Sequence, residues 1–172
     1  MAVFVNFVCL YINIVADRTK IRIFFIILAL LPCSCENNRN DVIPDVYIDF
    51  TIDLNDIEFV NLSTMFGSVY VNSGTNNWGL KAGGYNGNGI IVFAGPTDEY
   101  YAYDRTCPHD YYVNKLSAKV SVADMIFADC PKCKTRYALT NGGTPVSDSI
   151  GRYPLKNYKT SFGGNYLRVW NY

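Results

Sequence analysis

Three cysteines and the only histidine of the chain fall into two short motifs. The first motif is Cys107-Pro-His109, and the second, after 20 intervening residues, is Cys130-Pro-Lys-Cys133. Thiolates and imidazoles are ligands that zinc and iron accept, and a short loop can turn two such side chains toward one ion. Two ligand pairs at this spacing therefore predict a four-coordinate metal ion or a small metal cluster.

Strands must position these two motifs. GIIVFAG and EYYAYDR flank a turn at residues 95–98, which predicts a hairpin that leads directly into Cys107. TRYALT follows Cys133 and ends at a Gly/Asn turn at 141–143, and RYPLKNYKT and NYLRVWN flank another turn at 163–164. Aromatic and β-branched residues at period two predict strands, and no long amphipathic pattern occurs. The chain is therefore predicted to be all-β.

The residues before this hairpin predict further strands. VYIDFTIDL, which follows Asp45, alternates at period two, and GSVYVNSG is a second strand pattern. Residues 57–66 between them are expected to form a loop or a helical turn. The Gly/Asn-rich residues 74–89 are expected to form a surface loop, because glycine and asparagine favour turns.

At the two motifs the sequence resembles the Rieske [2Fe-2S] proteins, which carry Cys-x-His and Cys-x-x-His on two hairpin loops. The resemblance runs through IVFAGPTDEYYAYDRTCPH, CPKCKTRYALTNGGTPV and RYPLKNY, and covers roughly residues 89–170. It implies a Rieske-like antiparallel sandwich or barrel with two cluster-binding loops at one tip. In that family the cysteines hold one iron and the histidines hold the other. The resemblance thus implies Cys107 and Cys130 on one iron and His109 on the second.

Cys133 departs from the family pattern, since it stands where the second histidine is expected, and Lys134-Thr135 replaces the usual Gly-Ser. The resemblance then implies a [2Fe-2S] cluster for single-electron transfer to an unknown redox partner, with the ligands Cys107, His109, Cys130 and Cys133. The extra thiolate lowers the expected potential from about −150 to +300 mV toward about −400 mV. Thr135 and Tyr137 are candidates for contacts with the cluster. Two simpler roles fit the residues equally well: Thr135 as a hydroxyl that stabilises a turn, and Tyr137 as an aromatic side chain packed on a strand.

Three other interpretations of the same residues stay open. Three cysteines and a histidine are a common ligand set for structural zinc. Cys130-Pro-Lys-Cys133 also matches a thioredoxin-like dithiol, although that motif should open a helix and residues 134–140 predict a strand. The last alternative is a cluster-free binding or structural protein in which two of the cysteines form a disulfide, a bond that persists in oxidising compartments.

The N-terminal residues predict export. Three basic residues precede an apolar run at 23–31 that ends near Cys33 and Cys35, an order typical of a secretory signal. Ser34 before Cys35 resembles a bacterial lipoprotein signal with Cys35 as the lipidated residue, in preference to Cys33 after Pro32. An uncleaved membrane anchor is the alternative, although neither apolar run in residues 1–35 reaches the roughly 20 residues that a spanning helix needs. We expect an export segment at 1–35, a linker at 36–44 and the β domain at 45–172. The protein is then expected in a bacterial cell envelope, anchored to the membrane and facing the periplasm or the exterior.

Charge and composition exclude several function classes. Without its first 34 residues the chain has 12 basic and 14 acidic residues, so it lacks the basic surface of a nucleic-acid-binding protein. The single histidine belongs to the metal motif, so a Ser-His-Asp triad is not expected. A Rieske oxygenase needs two further histidines for its second iron site. The Rieske resemblance therefore implies an electron carrier and not an enzyme.

Overall fold

A computed structural model describes residues 41–172 of the chain. This part contains eleven strands: β1 (Asp49–Asp53), β2 (Ser68–Val71), β3 (Trp78–Lys81), β4 (Ile90–Ala94), β5 (Tyr100–Asp104), β6 (Ser121–Ala123), β7 (Phe127–Asp129), β8 (Arg136–Ala138), β9 (Thr144–Pro145), β10 (Asn157–Gly163) and β11 (Tyr166–Trp170). It also contains one α-helix, α1 (Pro108–Asn114), and two 3-10 helices, Ile57–Ser63 and Tyr85–Gly87.

Two antiparallel sheets make up the fold. The large sheet has the strand order β2-β4-β5-β10-β11-β1-β3, and the small sheet has the order β6-β7-β8-β9. Strands β4 and β5 pair across the turn at 95–98, and β10 and β11 pair across the turn at 163–164. Both predicted hairpins are confirmed. The predicted all-β fold class is confirmed as well, because every strand pairing in the described residues is antiparallel.

Strand β4 is buried on both faces and separates two apolar cores. The main core consists of Ile48, Phe50, Ile52, Phe59, Leu62, Val71, Ala82, Ile90, Val92, Ala94, Ala102, Tyr158, Leu167 and Val169. The tip core consists of Ile91, Phe93, Tyr103, Cys107, Val120, Ala128, Cys130, Tyr137, Leu139 and Leu155. Alternate residues of β4 enter alternate cores, which explains why IIVFA is an unbroken apolar run.

The small sheet contributes to the tip core, and two tyrosines of the large sheet bond to it. The Tyr103 hydroxyl donates to the carbonyl of Leu139, next to β8, at 2.8 Å. The Tyr70 hydroxyl accepts from the N–H of Val122 in β6, also at 2.8 Å. The strands of the small sheet are only two or three residues long. Contacts of this kind therefore hold it where pairing alone would be marginal.

The structure differs from the sequence prediction in two places. The Gly/Asn-rich segment at 74–89 is not only a loop, because it contains β3, an exposed edge strand paired with β1. Gly79 and Leu80 inside it have φ angles of 103° and 58°, so its backbone is irregular and its pattern hard to recognise. The residues after Cys107 form the short helix α1 instead of a plain loop. Of the two forms expected at 57–66, a loop or a helical turn, the chain adopts a 3-10 helix at Ile57–Ser63.

The predictions for residues 1–35, including the lipidated Cys35, lie outside the described residues, as does most of the predicted linker at 36–44. The part of the linker that is described includes Ile43, which is buried and whose carbonyl accepts a bond from the Lys156 ammonium at 2.9 Å. The described helices are all too short to cross a membrane.

Candidate metal centre

Cys107 is held at the N-terminus of α1, directly after strand β5. Its N–H donates to the carbonyl of Ala118 at 2.8 Å, which fixes the loop that follows the helix against it. Cys107 is the N-cap residue, and Pro108 takes the first helical position, where a missing N–H costs nothing. The acidic Asp110 lies in the first turn, where the helix dipole favours a negative charge. The helix ends at Lys115, which is left-handed with φ 55°.

Cys130 and Cys133 lie on the tight turn between β7 and β8. The N–H of Cys130 donates to the carbonyl of Thr135 at 2.9 Å, and the N–H of Lys134 donates to the carbonyl of Cys130 at 3.1 Å. Lys134 is left-handed with φ 61°. This closed turn brings both thiols to the same side of the hairpin.

The two loops meet at one tip of the molecule. The sulfur atoms of Cys107 and Cys133 are 3.6 Å apart, and the Cys130 thiol donates to Oδ2 of Asp110 at 2.9 Å. The ligand atoms of all four residues lie within 4.8 Å of one another. We refer to Cys107, Asp110, Cys130 and Cys133 as the tip cluster. The predicted convergence of the two cysteine loops is confirmed, and in the described residues the three thiols are free.

His109 is not part of the tip cluster, although the sequence predicts it as a ligand. It lies half-buried on α1, one residue before Asp110. The ligand atoms that converge are those of Asp110 and the three cysteines, and the imidazole nitrogens of His109 are not among them. Asp110 is the residue that the sequence analysis missed. The signal that could have found it is an acidic residue in the first turn of a helix whose N-cap is a predicted ligand.

Two buried hydroxyls contact the sulfur atoms of the tip cluster. The Tyr137 hydroxyl lies 3.3 Å from the sulfur of Cys107, and the Thr135 hydroxyl lies 3.1 Å from the sulfur of Cys133. Both residues have no exposed surface. The structure thus places Thr135 and Tyr137 beside the thiols, in line with one of the two interpretations that the sequence left open. Once the thiols lose their protons, both hydroxyls can donate to thiolates.

Contacts within the tip cluster give the three thiols different pKa values. A hydrogen bond from Cys107 lowers the pKa of Cys130 to about 7, and the N–H groups of Cys133 and Lys132 act in the same direction. The bond with Cys130 and burial raise the pKa of Cys107, and burial raises that of Cys133. Cys130 is therefore the first thiol to ionise.

The pKa of the Asp110 carboxyl is lowered in this environment. Burial raises it, but hydrogen bonds from the three thiols, together with the charge of His109, outweigh burial, so the net pKa lies below the ordinary value. A carboxylate beside three ionisable thiols is a concentrated source of negative charge. The arrangement is chemically suited to a cation with an affinity for sulfur.

The loop before β10 supports the second cysteine loop from outside. At Gly151 a side-chain carbon would lie 2.5 Å from Cγ2 of Thr135, closer than such atoms approach in proteins. Glycine fits at this position because the backbone there lies directly against the Thr135 side chain. The loop therefore keeps Thr135 against the sulfur of Cys133.

The fold and the tip cluster define a small antiparallel β protein that has three free thiols at one tip. No family model and no curated protein matches the chain. Among solved structures it is similar to a nitrite reductase (NADPH) small-subunit oxidoreductase protein, with 15% identity over 73% of this chain and 98% of that chain and a TM-score of 0.38. It is also similar to the ferredoxin of carbazole 1,9a-dioxygenase from Nocardioides aromaticivorans, with 14% identity over 74% and 100% and a TM-score of 0.42.

Proposed function

We propose that the protein is a single-electron carrier whose cofactor is an iron–sulfur centre bound at the tip cluster. The observation that carries the proposal is the convergence of three thiols from two separate loops. Thiolates of this kind hold iron–sulfur clusters, and such a centre supplies a one-electron couple. The Rieske resemblance implies a [2Fe-2S] cluster with the ligands Cys107, His109, Cys130 and Cys133, of which the three cysteines belong to the tip cluster and His109 does not.

The surroundings of the thiols suit redox chemistry. The hydroxyls of Thr135 and Tyr137 lie against two sulfurs, and hydrogen bonds to sulfur adjust the potential of an iron–sulfur centre. Cys107 and Cys130 are buried, whereas Cys133 is only partly so. The sulfur of Cys133 is therefore the closest route for an electron between the centre and a partner protein at the surface.

A single zinc ion with a structural role is the second candidate, and the spacing of the thiols favours it. Zn–S bonds of about 2.3 Å in a tetrahedral site place two sulfurs about 3.8 Å apart. The sulfurs of Cys107 and Cys133 are 3.6 Å apart, close to that value. In a two-iron cluster the ligands are divided between two metal atoms, which calls for wider separations.

Metal analysis of the full chain, purified without oxygen, separates the two candidates. An iron–sulfur centre gives a coloured protein with iron and acid-labile sulfide, and an electron paramagnetic resonance signal after reduction. Replacing Cys130 by Ser should abolish both, whereas replacing the exposed Ser147 by Ala should change neither. A colourless protein with one zinc ion per chain would overturn the electron-transfer proposal. A metal-free protein with one free thiol would favour the disulfide alternative.

The potential gives a second test. Replacing Cys133 by His exchanges an anionic thiolate for a neutral imidazole, so the potential should rise from near the plant-type value of about −400 mV toward the Rieske range of about −150 to +300 mV. Protein-film voltammetry measures this change. An unchanged potential would mean that Cys133 is not a ligand of the redox centre.

Export and lipid attachment at Cys35 belong to the same proposal. A protein anchored in the cell envelope would pass electrons to a partner at the membrane surface, and it would act as a carrier without a substrate site of its own. Replacing Cys35 by Ala should release the protein into soluble fractions, whereas the matched replacement of Cys33 should leave it with the membranes. Unprocessed protein that stays in the membrane after the Cys35 replacement would contradict lipidation.

A further inference from the structure

The Asp110 carboxyl is buried beside three sulfur atoms. Only 3% of the residue is exposed. Among residues 41–172, no lysine, arginine or histidine forms an ion pair with it, whereas Asp129 pairs with Arg136 and Asp49 pairs with Arg168. A carboxyl that is enclosed by thiols and has no ion-pair partner is in position to bind an ion that the thiols bind.

The carboxylate is directed at the three thiols. Its Oδ2 accepts from Cys130 at 2.9 Å, and its ligand oxygen lies within 4.8 Å of all three sulfurs. In the metal-free protein the thiol protons satisfy this oxygen. A metal that displaces those protons would leave three thiolates and one carboxylate facing one another, and only the metal could then compensate them.

We propose that Asp110, and not His109, supplies the fourth ligand of the metal centre. The inference rests on the proposed metal centre and concerns only which side chain completes it. Carboxylate oxygens of aspartate and glutamate are zinc ligands, with bonds of about 2.0–2.2 Å. A carboxylate oxygen of Asp110 lies within 4.8 Å of all three sulfurs, whereas His109, one residue earlier on α1, is not in this group of ligand atoms.

Cobalt(II) is a suitable probe because its absorption spectrum reports coordination number and thiolate count. The full chain, solubilised in detergent and reduced, is titrated with Co²⁺ alone. We expect tetrahedral bands and thiolate charge-transfer bands. The variant Asp110→Asn should bind Co²⁺ about 100-fold more weakly or worse, beyond the roughly 10-fold to 100-fold loss that an outer partner of a ligand causes.

Two controls make the titration specific. His109→Gln should change Co²⁺ affinity by less than about threefold, since a residue outside the ligand set loses no metal bond. Asp148→Asn removes an exposed carboxylate after β9 and should leave affinity unchanged. Weak binding by His109→Gln together with normal binding by Asp110→Asn would overturn the inference while the metal centre stands. Absence of thiolate charge-transfer bands in the unmodified chain would instead refute the metal centre itself.

A measurement without any variant covers the case in which Asp110→Asn fails to fold. His109 is the only histidine in the chain, so its ring resonances are unambiguous. An imidazole bound to Co²⁺ shows an exchangeable N–H signal shifted far outside the normal proton range. We expect no such signal in the Co²⁺-loaded protein. Observing one would overturn the assignment of Asp110 as the fourth ligand.

Discussion

The two sheets of this protein differ in the length of their strands and in the residues that their cores contain. Strands of the large sheet such as β1, β5 and β10 have five to seven residues and enclose the main core, which contains none of the candidate ligands. Strands of the small sheet have two or three residues, and the tip core that they help to form contains two of the candidate ligands. Apolar burial can stabilise the large sheet without any cofactor. A metal held by the cysteines would link the turn between β7 and β8 to the N-terminus of α1, so we expect metal binding to stabilise the small sheet more than the large one.

The largest expected effect is in the main core. Phe50 has 1% of its surface exposed, and Phe50→Ala should lower the free energy of unfolding by about 3–5 kcal/mol through lost transfer energy and a new cavity. Urea unfolding measures the loss, which should be equal with and without metal because the residue is remote from the tip core. Ile57→Ala, at a residue 83% exposed, should change stability little. A loss that depends on metal would contradict the separation of the two regions.

A smaller effect is expected at the tip. Gly151→Ala should cost about 1–3 kcal/mol, as overpacking does, because the new methyl displaces Thr135. Hydrogen exchange should then rise in the small sheet and remain unchanged in β1 and β11. Gly163→Ala is the matched control, since nothing lies within 4 Å of the added carbon there. Equal behaviour of the two variants would mean that the close contact at Gly151 does not support the site.

Each core contains a buried tyrosine that should make stability fall at alkaline pH: Tyr103 in the tip core and Tyr158 in the main core. Burial raises the pKa of Tyr103 and of Tyr158, and the Asp104 carboxylate adds to the shift of Tyr158. Above pH about 10 the unfolded chain loses these protons while the folded protein keeps them. The unfolded state then binds fewer protons, so the free energy of unfolding falls by about 1.4 kcal/mol per pH unit for each tyrosine, and the full contribution is present below pH about 10.

Phenylalanine variants measure this pH dependence. In Tyr103→Phe and in Tyr158→Phe, the free energy of unfolding should fall less steeply with pH between about 10 and 12, by the equivalent of about one proton in each variant. This range follows from the ordinary tyrosine pKa of about 10. Urea unfolding at several pH values gives the slope, and tyrosinate absorbance reports the ionisation. Slopes that stay unchanged in both variants would mean that neither tyrosine resists ionisation in the folded protein.

The smallest effect concerns the connection between the sheets. Tyr70→Phe keeps the ring, over which the Arg105 guanidinium lies at 3.9 Å, and removes the acceptor of the Val122 N–H. A loss of about 0.5–1.5 kcal/mol is expected, which is the net value of one hydrogen bond. Exchange of the Val122 amide should rise by up to about tenfold. Tyr172→Phe is the control, because this ring is exposed and stacks on Tyr47.

The difference between the regions also explains how far the sequence could predict the structure. Long strands with two-residue periodicity were recognisable, and the run at β4 was recognisable because both faces are buried. The strands β6 and β7 were not predicted, since three residues give no periodicity. The cysteines were predicted from their spacing alone. Asp110 was not, because its direction depends on α1, which starts at Pro108 and is too short to show a helical pattern.

Strand β3 closes one side of the large sheet in a way that affects contacts between molecules. An edge strand with regular extended backbone offers unpaired N–H and C=O groups to a strand from another copy. In β3 the left-handed φ angles of Gly79 and Leu80 break that regular row, and a side chain at Gly79 would lie 2.5 Å from the carbonyl oxygen of Asp49. The irregular backbone that hides β3 in the sequence thus protects this edge from aggregation by strand addition.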